Sequence, residues 1–123
     1  MTRKVLITGA SSDIGIAICR LYLDNKCLVT GFYNKGQPRL TKLDKEYSEL
    51  TLHQLDFESP ENIESFIEKK GEGFLENEIF IHAAALVEPT PFFDITADNL
   101  VRAFTINAIP SFLFTRTLIP AMI

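Results

Sequence analysis

Thr8-Gly9-Ala10-Ser11-Ser12-Asp13-Ile14-Gly15 is a run of small and polar residues between two apolar stretches. Glycine serves such a turn in two ways. It lets the backbone reverse sharply, and it leaves no Cβ to hold a pyrophosphate away. Gly9, Ser11, Ser12, Asp13, Ile14 and Gly15 are therefore candidate contacts for a phosphate-bearing ligand. Three further places set polar groups after apolar runs: Tyr33-Asn34-Lys35, Asp56-Phe57, and His82 before Ala83-Ala84-Ala85. Asn107 stands inside an apolar segment, where its amide must find partners, and is a second candidate for chemistry.

The elements around these residues alternate. Val5-Leu6-Ile7 suits a strand buried on both faces. Ile14, Ala17, Ile18, Leu21 and Tyr22 repeat at helical spacing, and Cys27 to Phe32 is a second apolar, β-rich run. Gly36-Gln37-Pro38 is expected as a loop, Leu40 to Leu50 as a charged helix, and Thr51 to Leu55 as a third strand. Ser59-Pro60-Glu61 carries the signature of a helix start, with Ser59 as N-cap. Ile63, Phe66 and Ile67 form that helix's apolar face, and Gly71 to Gly73 ends it. Ile79 to Ile81 is a fourth strand. A Pro-rich loop (Glu88 to Asp94) leads to a last helix, expected from Asp98 to about Ile119. Strands and helices in alternation imply an α/β fold, a Rossmann-like doubly wound parallel sheet with helices on both faces.

The turn between the first strand and helix resembles the Thr-Gly-x-x-x-Gly-x-Gly fingerprint of the short-chain dehydrogenase/reductase family. Asp13 replaces the middle glycine. Aspartate tolerates left-handed backbone angles and favours a helix N-terminus, but its charge opposes a phosphate placed there. The resemblance implies that Asp56, with Phe57 beside it, accepts a hydrogen bond from an adenine amino group. It also implies that Ala83 and Ala84 approach the adenosine ribose. The family carries Asn-Asn-Ala-Gly where this chain has His82-Ala83-Ala84-Ala85. His82 either substitutes for the missing asparagine's hydrogen bond or is a satisfied core histidine, and no catalytic role is assigned to it. Ile106-Asn107-Ala108, with Phe112, Thr115 and Pro120-Ala121-Met122, resembles the segment bearing the family's active-site asparagine. Pro110 is expected to kink the helix around Asn107. By the resemblance, the Asn107 backbone carbonyl then holds a water in a proton relay.

In NAD-preferring dinucleotide folds an acidic residue after the second strand holds the ribose 2′-hydroxyl. Here that place is Tyr33, followed by Asn34 and Lys35, so no carboxylate repels a 2′-phosphate. NADP is expected over NAD, with Lys35 and Asn34 as contacts and Arg39 farther out.

The resemblance runs from Lys4 to Met122 but covers only the first half of an ordinary family member. Family chemistry is hydride transfer to or from a carbonyl or alcohol. It needs a serine and a Tyr-x-x-x-Lys pair, whose lysine lowers the tyrosine pKa. Those groups follow a fifth strand, which would begin where this chain stops. Tyr22, Tyr33 and Tyr47 are not expected to supply the pair, Tyr22 being set aside on its spacing to Lys26. The expectation is one NAD(P)-binding domain over 1–123, incomplete at its C-terminal end. It would hold about four strands in the order 3-2-1-4, and the isolated chain would be inactive. The alternative is a non-catalytic dinucleotide-binding module or remnant. An open fourth strand is an association hazard, so a homo-oligomer or a complementing chain is expected.

At 123 residues the chain suits one core. Its net charge of −4, and a densest basic cluster of only Lys42 to Lys45 interrupted by Asp44, argue against a nucleic-acid partner. Cys19 and Cys27 are expected as reduced, buried thiols rather than as a disulfide or metal ligands. No apolar run is long enough for a membrane span, and three apolar residues after Arg3-Lys4 make no signal peptide. The expected location is cytoplasmic.

Overall fold

The computed structural model describes residues 2–86 and 89–123. Four parallel strands, β1 (Lys4–Thr8), β2 (Leu28–Tyr33), β3 (Leu50–Gln54) and β4 (Ile79–His82), form one sheet in the order β3-β2-β1-β4. Thr8 at the end of β1 stands opposite Phe32 of β2 and His82 of β4. Among the described residues, five helices accompany the sheet: α1 (Asp13–Asp24), α2 (Pro38–Glu46), α3 (Pro60–Lys69), α4 (Ala97–Asn107) and α5 (Ile109–Met122). Single 3-10 turns lie at Glu72–Glu76 and Phe92–Asp94.

Alternation along β1 assigns its residues to two cores. Val5 and Ile7 pack on one face with Val29, Leu50 and the inner residues of α1 and α2. Leu6 points the other way, into a cluster of Phe32, Ile63 from α3, Phe74, and Leu113, Phe114 and Leu118 from α5. That second core is largely aromatic, with Phe114 at centroid distances of 5.1 Å from Phe32 and 5.7 Å from Phe80. Helices on both faces of a parallel sheet make the doubly wound Rossmann-like architecture expected from the alternation.

Several expectations shift in detail. The buried face of α1 is Gly15, Ile16, Cys19 and Leu23, whereas Ile14 and Leu21 are exposed. The helix is apolar nearly all round, so its pattern leaves the rotation open, and close packing of Gly15 on the preceding turn sets it. α2 begins two residues early because Pro38 fits the first helical turn, and it ends at Glu46, leaving Leu50 to start β3. Ser59 is the N-cap residue of α3, but its hydroxyl donates to Glu61 (2.6 Å) instead of capping the backbone. The last helix is broken rather than kinked. α4 starts from a capping box of Thr96 and Asn99 and stops at Asn107, and α5 begins at Ile109 with Pro110 in its first turn. Of the Pro-rich loop, Glu88 lies outside the described residues. Both cysteines are free and buried, and burial pushes the Cys19 thiol up to about 11.

Candidate functional site

The turn after β1 is built by its two end glycines. Gly9 takes φ +72°, and a Cβ there would lie 2.6 Å from the Ala84 nitrogen. The phosphate-type turn and the segment after β4 are therefore in backbone contact. A Cβ on Gly15 would stand 1.8 Å from the Gly9 carbonyl oxygen, so α1 sits directly against the turn. Ser12 locks the arrangement as the N-cap of α1: its hydroxyl donates to the Gly9 carbonyl (2.9 Å) and accepts from the Gly15 amide (3.0 Å). The N-terminus of α1 thus faces the space above the sheet.

Asp13 is paired. Its carboxylate accepts from the Arg39 guanidinium, which reaches across from the first turn of α2. The charge that stands against a phosphate in sequence is neutralised by a residue 26 positions away. Both side chains are largely exposed, so the pair matters more for local charge than for stability.

The strand ends open into one cleft of about 950 Å³. Gly9, Ser11, Ser12, Asp13 and Ile14 line it from the first turn, Tyr33, Asn34 and Lys35 from the end of β2, Asp56 and Phe57 after β3, and Ala83 and Ala84 after β4. Two sequence candidates lie elsewhere: Gly15 is behind the turn, where it seats α1, and Asn107 is beneath the wall. Asp56 accepts from the Glu58 amide (2.9 Å), a turn role that leaves it on the cleft. Phe57 is mostly core, with its ring beside Phe32 and Phe114. The cleft also gathers residues that no sequence pattern marks as site residues, among them Phe32, Leu86, Ile106, and Arg102 of α4 paired with Glu58. Arg102 and Glu58 are 44 residues apart, and no local pattern joins them.

Below the wall, the Asn107 side chain is engaged through both of its polar atoms. It accepts from the Leu86 amide (2.6 Å) and donates to the Leu86 carbonyl (3.1 Å), tying the α4–α5 break to the segment after β4. The Asn107 backbone carbonyl meets His82 Nε2 at 2.9 Å, and His82 Nδ1 meets the Thr8 hydroxyl at 2.7 Å.

Burial lowers the pKa of His82, opposed by the Asn107 carbonyl, and burial also lowers that of His53 beside Phe32. A histidine that is harder to protonate folded than unfolded adds stability that is complete above its unfolded pKa of about 6.5 and is lost as pH falls below it. The urea midpoint is therefore expected to fall between about pH 7.5 and 5.5 at constant ionic strength. A flat midpoint across that range would contradict neutral buried rings.

A family model described as short chain dehydrogenase matches residues 3–123. The chain belongs to the short chain dehydrogenase family. Carbonyl reductase (NADPH) 1 of Rattus norvegicus is 34% identical to it over 96 residues, 71% of this chain and 34% of that protein. The fold matches a short-chain dehydrogenase from Streptomyces avermitilis with a TM-score of 0.87 at 23% identity, over 99% of this chain and 45% of that one. A short chain dehydrogenase from Leptospira borgpetersenii with bound NAD+ matches at 0.82 and 23% identity, over 98% and 46%. The chain thus spans about a third of the curated relative and under half of these two structures.

Tyr22-Leu23-Asp24-Asn25-Lys26 does have Tyr-x-x-x-Lys spacing, so spacing is no ground for setting it aside. Position is. α1 ends at Asp24, Lys26 takes φ 65°, and the two residues line a separate hollow with Arg3, Cys27 and Ile79. That hollow lies at the N-terminal ends of the parallel strands, across the sheet from the glycine turn.

Proposed function

We propose that the cleft binds a nicotinamide dinucleotide, NADP in preference to NAD. The chain would then form the cofactor-binding part of an oxidoreductase acting on a carbonyl or alcohol. The observation that carries this reading is the convergence of all four strand ends on one cleft. There a glycine turn, the N-terminus of α1 and two alanines leave backbone room for a pyrophosphate and ribose. Gly9, Ser11, Ser12 and Ile14 would hold the pyrophosphate, Ala83 and Ala84 the ribose, and Asp56 the adenine amino group with Phe57 beside it. Bound there, the cofactor supplies or accepts the hydride. Asn107 offers its backbone carbonyl at the α4–α5 break as the family's relay acceptor.

Preference for NADP rests on charge. No carboxylate follows β2, and Lys35 lines the cleft at that place. Asp13, the nearest acid on the turn, is held by Arg39. Lys35→Asp is expected to weaken NADPH binding about tenfold and to leave NADH within about threefold. Calorimetric titration with both nucleotides checks this, and equal NADPH affinity in the two proteins would remove Lys35 from the site.

Without a Tyr-x-x-x-Lys pair at the cleft, the 123-residue chain should not oxidise NADPH with carbonyl substrates unless other residues complete the site. The placement of Tyr22 and Lys26 favours a second reading, nucleotide binding without catalysis. Steady-state NADPH oxidation separates the two. β4 is an edge strand, and Leu100, Val101, Phe104 and Phe112 expose apolar surface on α4 and α5. Self-association or a complementing polypeptide is accordingly part of the proposal, with the cytoplasm as the working location. No helix among the described residues is long and apolar enough to cross a membrane.

A further inference from the structure

Asn107 is one end of a hydrogen-bonded chain whose direction can be worked out. The Thr8 hydroxyl oxygen accepts from the Ala83 amide (3.1 Å) and the Ala84 amide (3.2 Å). A hydroxyl has two lone pairs and one proton. The Ala84 amide takes one lone pair and the Ala83 amide, shared with the Thr8 backbone carbonyl (3.3 Å), faces the other, which leaves the Thr8 proton for His82 Nδ1 at 2.7 Å. Nδ1 is then an acceptor without hydrogen, and the ring carries its proton on Nε2. That proton points at the Asn107 carbonyl, 2.9 Å away. Thr8 is fully buried, so no solvent competes for its hydroxyl.

We propose that His82 is a positioning residue for the nucleotide site: fixed by Thr8 as the neutral Nε2–H tautomer, it fastens the Asn107 carbonyl, and with it the α4–α5 break, to the Ala83–Ala84 wall. The role rests on the reading of the cleft as a dinucleotide site. The same imidazole spans two parts that must keep register, the backbone beside Gly9 and the helix break carrying the relay acceptor. Asn107 reinforces the fastening from its side chain through Leu86. Burial favours the uncharged ring and outweighs the Asn107 carbonyl, which favours the charged one. Protonation would put a second hydrogen on the ring, at Nδ1, facing an oxygen that already accepts from two amides.

The first test needs no cofactor. Long-range 1H–15N correlation spectra of the folded protein near pH 7.5 should show His82 as a single neutral Nε2–H tautomer. An Nδ1–H tautomer, or an averaged mixture, overturns the assignment. The second test is NADPH titration of three variants that retain cooperative melting. Gln places its amide nitrogen where Nε2 stands, and Asn places it where Nδ1 stands. His82→Gln is expected within about threefold of the parent, and His82→Asn and His82→Leu about tenfold weaker, the loss of one buried hydrogen bond. Should His82→Leu not fold, the order of Gln over Asn still decides, and equal or reversed affinities overturn the role. If the parent protein itself binds neither NADPH nor NADH, the dinucleotide reading and the positioning role fall together, while the spectra still decide the tautomer.

Discussion

Gly15→Ala is expected to abolish measurable NADPH binding and to lower the melting temperature by about 15 °C. The added Cβ would lie 1.8 Å from the Gly9 carbonyl oxygen and 2.7 Å from its carbon. No rotamer relieves a backbone clash of this size, so α1 must move away from β1 by more than an ångström. That motion pulls the Ser12 hydroxyl from both of its partners and displaces the amides that would face a pyrophosphate. Overpacking against rigid backbone with loss of a cap costs about 4 kcal/mol, a large share of the roughly 5–15 kcal/mol a domain possesses. At this chain length each kcal/mol moves the midpoint by about 4 °C. Gly36→Ala is the control: its nearest neighbour would be a Tyr33 ring carbon at 3.8 Å, and its φ is not positive. It should be neutral or gain about 0.5 kcal/mol by stiffening the unfolded chain. Thermal melting and titration of both variants check the pair. A Gly15→Ala protein that melts and binds like the parent would mean that α1 is not seated on the turn.

Phe114→Ala should cost about 4 kcal/mol, read as a fall in the urea midpoint at unchanged slope. Phe114 is completely buried and stands among Phe32, Phe57, Phe74 and Phe80, with centroid distances between 5.1 and 6.2 Å. Truncation leaves a cavity in the one cluster that fixes α5 to the sheet, and it removes several aromatic pairs worth about 0.5–1.5 kcal/mol each. Phe32 and Phe57 also line the cleft, so the loss should reach nucleotide affinity as well. Phe114→Leu keeps most of the volume and should lose less than half as much. Equal losses for the two variants would show that volume is not the governing quantity at this site.

Much of the architecture was legible because the strand signals are strong. Val5-Leu6-Ile7 is continuous and apolar, and only a strand covered on both faces accommodates it at the start of an alternating chain. The glycine turn was legible because its residues are adjacent and each has a steric task. What sequence did not disclose depends on distance or on rotation. The phase of α1 is not legible in its sequence, because Ile14, Ile16, Ile18 and Leu21 offer more than one apolar face, and the choice is made by Gly15 meeting Gly9. The pairing of Asp13 with Arg39, and of Glu58 with Arg102, joins residues 26 and 44 apart. Asn107 was marked by its polarity in an apolar helix, but its partners Leu86 and His82 come from around another strand. Sequence leaves His82 open to two roles, because only the register of β1 with β4 places it opposite Thr8. The Tyr22–Lys26 pair shows the converse: correct spacing carries no chemistry when the helix ends between its members.

Backbone 1H–15N spectra recorded while NADPH is added test whether the cleft at the C-terminal strand ends receives the nucleotide. The prediction is saturable shifts at Gly9, Ser11, Ser12, Ile14, Phe57, Ala83 and Ala84, with Arg3, Tyr22 and Lys26 at the far end of the sheet unchanged. Shifts confined to that far end, or none at millimolar NADPH and NADH, would contradict it.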